Sequence, residues 1–324
     1  MKITYLGTAA SEAWPAEFCE CHICHAAMKR GGRDLRLRSC ALIDDDLLID
    51  VSPDIYAARV KLDVSLAHVR AVLITHSHAD HFAIPQLGWA MPNFAPVPKH
   101  GPLLIAGSEG TYETYRQLYA AWGSRFTEDM MNFEVLKPFQ PTDILGARVT
   151  LLPAEHGAKG ASVYLIERDG KRVAYMHDTG VVLPDVWDYF KALDRPLDLV
   201  SLDAVCGPNR AGEHSGHMGF EQDAEIRCEM LRYGIANEQT RFISNHICIH
   251  ACKKDGKFYF HEDMEAFCQP LGLTPSYDGM AVTLMLMIPV LFTFSGKDRK
   301  AIPVVVFNGL LFGFLIGVAE RYLG

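Results

Sequence analysis

The sequence has no clustered basic stretch. Its lysines and arginines are scattered and the formal net charge is −8, which argues against a dedicated nucleic-acid surface. It opens without a basic leader followed by a long apolar run, so the main domain is expected not to be exported. Neither an internal repeat nor a low-complexity segment interrupts it. The cysteines number nine, an odd count. In a cytosolic chain they are expected to be thiols or metal ligands rather than disulfides.

Charge is also missing near the C-terminus, from Ala301 to Ala319, "AIPVVVFNGLLFGFLIGVA". As a helix this run would span about 28 Å, close to a bilayer's hydrocarbon thickness. Ile288–Ser295 is too short to cross, so a single anchor is expected rather than a helical hairpin. Lys297, Arg299 and Lys300 precede the run and only Arg321 follows it. That balance puts the catalytic domain in the cytoplasm, held to the inner face of the membrane. Gly309, Gly313 and Gly317 fall four apart and would allow a homodimer through the tail. The expected organisation is one domain over residues 1–286 and an apolar tail over 287–324.

What the chain does have is enough apolar sequence for a large core: about half of its 324 residues. "KITYL" reads as a strand and "CALIDDDLLIDV" as a hairpin turning at Asp44–Asp46. "VRAVLIT" and "ARVTLLPAEH" are further strands. "ASVYLIERDGKRVAYMHD" gives two strands around Asp169–Gly170, a strong two-residue turn signal. "LDLVSLDA" and "TRFISNH" follow. Helical patterns cover Gly110–Trp122, Leu183–Leu193, Phe220–Tyr233 and His261–Leu271. A mixed α/β layered domain results.

His76, His156, Asp178 and His246 each sit at or just past the end of a strand in this reading, and loops at one sheet edge can converge on one site. The densest segment is "THSHADH", with His76, His78, Asp80 and His81 inside six residues. Imidazole and carboxylate suit zinc, manganese or iron. With His156, Asp178 and His246 they can complete two coordination spheres. A carboxylate between two cations offsets their repulsion, and Asp178 is best placed to supply it.

These residues resemble the HxHxDH signature of the metallo-β-lactamase superfamily. The likeness runs from Met1 to about Leu284, through "LLIDVSPD", "AEHGAKG", "YMHDTG", "SGHMGF", "SNH" and "YDGMAV". It implies an αββα sandwich. It assigns His76, His78 and His156 to one ion, Asp80, His81 and His246 to the other, and Asp178 to both. Within the superfamily the chain is most similar to the phosphodiesterases of the phosphoribosyl cyclic phosphate branch. The tRNA 3′-processing endonucleases are further off.

"FCECHICH" places Cys19, Cys21 and Cys24 close enough to wrap one zinc if a fourth ligand arrives from elsewhere. The phosphodiesterase branch carries such a structural zinc, its fourth ligand a histidine three residues after the last catalytic-metal histidine. Here that position is Ile249. His250 is the favoured substitute and Cys248 the second, with His22 and His25 as local alternatives. An enzyme of pyrroloquinoline quinone biosynthesis has a similar cysteine cluster but a usually degenerate metal motif, unlike the intact one here.

His217 matches the histidine that lies by the substrate phosphate in that branch, where it could protonate the leaving oxygen; His214 is a weaker candidate. Asp80 can ligate a metal and help orient the nucleophile. Asp50 is expected to brace the metal loop, Asp54 to cap a helix, and Arg36 and Arg38 to lie on a solvated strand edge. His177 should point away from the site, because strand side chains alternate. The resulting expectation is a dinuclear phosphodiesterase with two divalent ions (Zn2+ or Mn2+) and one structural Zn2+. Its substrate would be a small phosphodiester, cyclic or nucleotide-like, with no nucleic-acid partner. The rival readings are a lactonase, a tRNA-processing nuclease and a non-enzymatic metal-binding or membrane-associated protein.

Overall fold

The computed structural model describes residues 1–90, 94–95, 102–122, 131–285, 288–292 and 302–306. The first part of the chain lays down β1 (Lys2–Gly7), β2 (Cys40–Ile43), β3 (Leu47–Ile49), β4 (Ala71–Ile74), β5 (Leu103–Gly107) and β6 (Met131–Val135). Then come β7 (Thr142–Ile144), β8 (Ala147–Pro153), β9 (Ser162–Arg168), β10 (Lys171–Met176), β11 (Leu199–Asp203) and β12 (Arg241–Asn245). A small hairpin of β13 (Lys253–Lys254) and β14 (Lys257–Phe258) precedes β15 (Thr274–Pro275) and β16 (Ala281–Thr283). Two seven-stranded sheets result, ordered β16-β1-β2-β3-β4-β5-β6 and β15-β12-β11-β10-β9-β8-β7.

Both expected hairpins form. β2 and β3 pair antiparallel across Asp44–Asp46. β9 and β10 pair across Asp169 and Gly170, whose φ values of 51° and 67° suit the mirror-image turns that match strand twist. The helices are α1 (His22–Arg30), α2 (Ile55–Leu62), α3 (Ile84–Leu87), α4 (Glu109–Trp122), α5 (Pro184–Lys191), α6 (Phe220–Arg232) and α7 (His261–Cys268).

Alternation along the strands divides the core into layers. Leu48, Val72, Ile74 and Ile105 of the first sheet pack with Ile55 of α2, Leu87 of α3 and Tyr115 of α4. Leu152, Leu165, Met176 and Leu202 of the second pack with Phe190 of α5, Phe220 of α6 and Met264 of α7. The other strand faces, among them Ala71, Leu73, Tyr164 and Tyr175, are wholly buried where the sheets meet. The Tyr164 hydroxyl donates to the Ile74 carbonyl at 2.6 Å and the Tyr5 hydroxyl to Ser201 Oγ at 2.9 Å, tying one sheet to the other. This is the expected αββα sandwich.

The chain divides into two compact units, Lys2–Val282 and a smaller one of Met1 with Thr283–Gly324. In the smaller unit β17 (Ile288–Phe292) pairs antiparallel with β18 (Ile302–Val306). The expected transmembrane helix is overturned here, because its opening residues are a strand. Among the described residues no helix is long and apolar enough to cross a membrane. The anchor, the membrane partner and the inner-face placement fall with it. The physical reason is local: Pro289 and Pro303 disfavour a helix, and the β-branched run Val304–Val306 favours a strand. The glycines that suggested a tail dimer lie outside the described residues.

Candidate dinuclear metal site

β4 stops at Ile74 and the HSHADH loop follows it at the sheet edge. His76 and His81 turn inward and are fully buried, whereas His78 is exposed. His156 arrives just after β8, Asp178 after β10 and His246 after β12. His78 Nδ1 lies 3.0 Å from His76 Nε2 and 3.1 Å from His156 Nε2. His81 Nε2 lies 3.0 Å from His246 Nε2 and 3.2 Å from Asp80 Oδ2. Asp178 stands between the two triads. Its Oδ2 is 3.2 Å from His81 Nε2 and 3.4 Å from His246 Nε2, and its Oδ1 is 3.8 Å from His156 Nε2. Zinc–nitrogen bonds of about 2.0–2.1 Å at tetrahedral angles place two ligand nitrogens roughly 3.3 Å apart, close to these spacings.

The far side of each ring sets which nitrogen faces the site. His81 Nδ1 donates to Asp50 Oδ2 at 2.8 Å, and His156 Nδ1 donates to the Gly216 carbonyl at 3.1 Å. His76 Nδ1 lies 3.1 Å from Thr75 Oγ1, and that hydroxyl donates onward to Asp50 at 2.9 Å. Asp50 thus braces the metal loop, and Nε2 of all three rings is left free to ligate. His246 differs: its Nδ1 is buried without a hydrogen-bond partner, 3.7 Å from Asp203 Oδ2.

Charge agrees with this donor set. Burial opposes ionisation of Asp178, but His246, His81 and the other histidines outweigh it and hold the carboxyl well below the usual range. For Asp80, burial is likewise outweighed by hydrogen bonds from His246 and His81. Burial lowers His76 and His156 and keeps them neutral, whereas at His81 and His246 burial is outweighed by Asp178 and the other carboxylates, which raise both imidazoles above their ordinary range. Cations bind ionised carboxylates and neutral imidazoles, so an ion entering the site would take the place of the protons that the carboxylates draw onto His81 and His246. Asp178 Oδ2 is moreover buried with no hydrogen-bond partner. Such a group costs about 1–3 kcal/mol or more unless satisfied, and a cation between the triads would satisfy it.

Asp50, Asp178 and His246 share an unusual backbone, with φ of 62°, 55° and 60°. Left-handed conformation in a non-glycine residue costs roughly 1–2 kcal/mol. At each strand end it turns the chain sharply where the side chain must enter the site, a common place for strain.

One member went unnoticed in the sequence. Asp203, the last residue of β11, is fully buried. It accepts hydrogen bonds from His217 Nδ1 at 3.0 Å and from the backbone N–H of Asp178 at 3.0 Å, Val205 at 3.1 Å and Met218 at 2.9 Å. Its signal was the strand-end position it shares with Asp178 and His246. His217 itself lies over the site, its ring centre 5.0 Å from that of His156 and 5.9 Å from that of His246. Burial disfavours its charge, but Asp203 outweighs burial and holds the imidazole up to about 9. His214 is exposed and meets Glu155 Oε1 at 3.5 Å instead. His177 points away, as alternation requires, with Nε2 2.7 Å from Ser201 Oγ.

The cysteines form a second cluster. His250 Nε2 lies 3.4, 3.7 and 3.8 Å from the Sγ atoms of Cys19, Cys21 and Cys24. Bonds of about 2.3 Å to sulfur and 2.0–2.1 Å to nitrogen would set a tetrahedral separation near 3.6 Å. Cys248, His22 and His25 lie outside the cluster. Cys21 stands at the N-terminal boundary of α1 without a side-chain hydrogen bond to it. The backbone N–H of Cys24 beside it lowers its thiol to about 6. Two smaller expectations fail. Asp54 makes no cap hydrogen bond but holds Arg38 at 2.9 Å, and Arg36 is buried rather than solvated.

A layered sandwich that gathers His and Asp ligands from both sheets at one edge defines a metal-dependent hydrolase of the metallo-β-lactamase type. That is the class of this chain. Residues 46–233, more than half of it, match the family described as the Beta-lactamase superfamily domain, and the chain belongs to that family. A comparison with curated proteins finds no match. Solved structures of similar fold include a diphosphatase of the PhnP family, with 20% identity and a TM-score of 0.66 over 88% of this chain and 98% of that one. Zinc-bound PqqB from Methylobacterium extorquens shows 21% identity and 0.61 over 88% and 100%. The short form of human tRNase Z shows 15% and 0.57 over 88% and 100%. At these identities the likeness is one of fold.

Proposed function

We propose that the protein is a dinuclear phosphodiesterase for a small phosphodiester, of the phosphoribosyl cyclic phosphate type. The observation that carries this reading is the His217 imidazole, which donates from Nδ1 to the buried Asp203 carboxylate at 3.0 Å beside the two candidate triads and whose protonated form that carboxylate favours. An anionic phosphoryl group gains from a fixed positive charge there; a neutral lactone ring gains far less. His76, His78 and His156 would hold one divalent ion and Asp80, His81 and His246 the other, with Asp178 shared. Bound there, zinc or manganese supplies Lewis acidity and activates water at neutral pH. His217 then offers its proton to the departing oxygen. Cys19, Cys21, Cys24 and His250 would hold a separate zinc that stabilises the fold.

A substrate panel on metal-loaded protein tests this. It comprises an aryl phosphodiester, cyclic nucleotides, phosphoribosyl cyclic phosphate, lactones and tRNA precursors. Small phosphodiesters should be turned over fastest; a preference for lactones or for tRNA would overturn the reading.

A further inference from the structure

We propose that Cys21 and Cys24 are a reversible dithiol–disulfide pair, open to small-molecule disulfides, whose oxidation expels the ion held by the cysteine cluster. This rests on the reading of Cys19, Cys21, Cys24 and His250 as ligands of one ion.

Cys21 is the residue before α1 and Cys24 the third residue within it. The Cys21 carbonyl takes the first helical hydrogen bond, from His25 N–H at 3.1 Å. Residues three apart at a helix start have Cα atoms about 5 Å apart, inside the range of about 4.4–6.8 Å that a disulfide spans. The sulfurs are already gathered: the Sγ atoms of Cys19, Cys21 and Cys24 and His250 Nε2 all lie within 4.8 Å of one another.

Access to the pair is unequal. Cys21 is half-buried, whereas Cys24 is only 2% exposed. A dissolved disulfide can therefore meet Cys21 but not Cys24, and that sets the order of events. The Cys21 thiolate attacks one sulfur of the small disulfide; a mixed disulfide forms and one small thiolate leaves. The Cys24 thiolate then attacks the Cys21 sulfur, and the second small thiolate leaves. Two protein thiolates are consumed and two small ones released, so the protein loses two electrons and the small disulfide gains them. Closure leaves Cys19 and His250 alone, two of the four donors that a structural zinc takes. A reductant returns both sulfurs and with them the site.

The test uses full-length protein loaded with cadmium and treated with hydroxyethyl disulfide. Cadmium NMR separates a thiolate-rich site from sites of histidine and carboxylate. Oxidation should remove the thiolate resonance and leave the others in place, and a phosphine reductant should bring it back. Alkylation before and after reduction locates the bond: Cys19 should be labelled in the first step, Cys21 and Cys24 only in the second. Cys24→Ser should stop at the mixed disulfide, with the small thiol still on Cys21. Circular dichroism reports whether that variant is folded; if it is not, the wild-type labelling decides. Labelling of all three cysteines in the first step overturns the proposal. So does a bond to Cys19, or a thiolate resonance that survives closure of the pair. Loss of every resonance together also overturns it, since that marks unfolding. Untreated protein with no thiolate-bound cadmium refutes the underlying ligand assignment instead.

Discussion

Asp203 Oδ2 accepts His217 Nδ1–H at 3.0 Å and, through the same oxygen, the backbone N–H of Asp178 at 3.0 Å. One buried carboxylate thereby fixes the position of the bridging candidate and the charge of the histidine above it.

The pH profile should record that link. His217 acts as an acid only while protonated, and Asp203 holds it up to about 9. Hydrolysis should persist below that value and fall as pH rises through it. In Asp203→Asn the supporting charge is gone, so the falling limb of kcat/KM should move down toward about 6.5. A limb that stays in place would remove His217 as the titrating acid.

Leaving groups give a second reading of the same ring. His217→Ala should slow hydrolysis of alkyl phosphodiesters by roughly 10²–10⁴-fold, the usual contribution of a general acid. Aryl esters, whose leaving oxygen needs little protonation, should be slowed much less. Equal losses would assign His217 to charge stabilisation alone.

Asp178→Ala removes the one carboxylate shared by both triads. Metal analysis should show the catalytic ions lost or bound far more weakly, by more than the 10–100-fold that a mere orienting partner is worth. Hydrolysis should vanish with them while circular dichroism stays near wild type. Full metal content would end its role as bridge.

Gly216 is a narrower test. Its φ is 74°, and a Cβ there would sit 2.9 Å from His156 Nδ1. Gly216→Ala should cost roughly 1–2 kcal/mol from the left-handed backbone alone. It should also push His156 and weaken the ion on the His76/His78/His156 triad, measured by competition with a chelator. Unchanged affinity would mean that the loop yields instead.

Cys21→Ser should lose one equivalent of zinc and melt at a lower temperature, because structural metal binding is coupled to folding. An unchanged zinc count would remove the cysteines as ligands.

The HSHADH loop stood out because its candidate ligands fall inside six residues, a density that a solvated loop seldom reaches. Strand ends could be read where apolar runs stop, which brought in His156, Asp178 and His246. Asp203 stands at an equivalent place, but a lone aspartate after a strand has no local partner to mark it. Its partners come from a loop that only the fold brings near. Arg36 looked solvated for the same reason: Ser276 and His261, which receive its guanidinium, lie more than 200 residues away. The tail was misread because hydropathy counts apolar residues without asking whether they are β-branched. Ile302–Val306 is as apolar as a membrane span, yet it pairs as a strand.

The ligands leave the sandwich from both of its sheets: His76, His78, Asp80 and His81 from the first, His156, Asp178 and His246 from the second. Ions held among them would act as rivets across the seam. A stretched molecule would have to tear coordination bonds before its two halves could slide apart. With ions in place the mechanical toughness of the chain would be set in part at that edge, and drawing them out would soften the whole body as well as silence it.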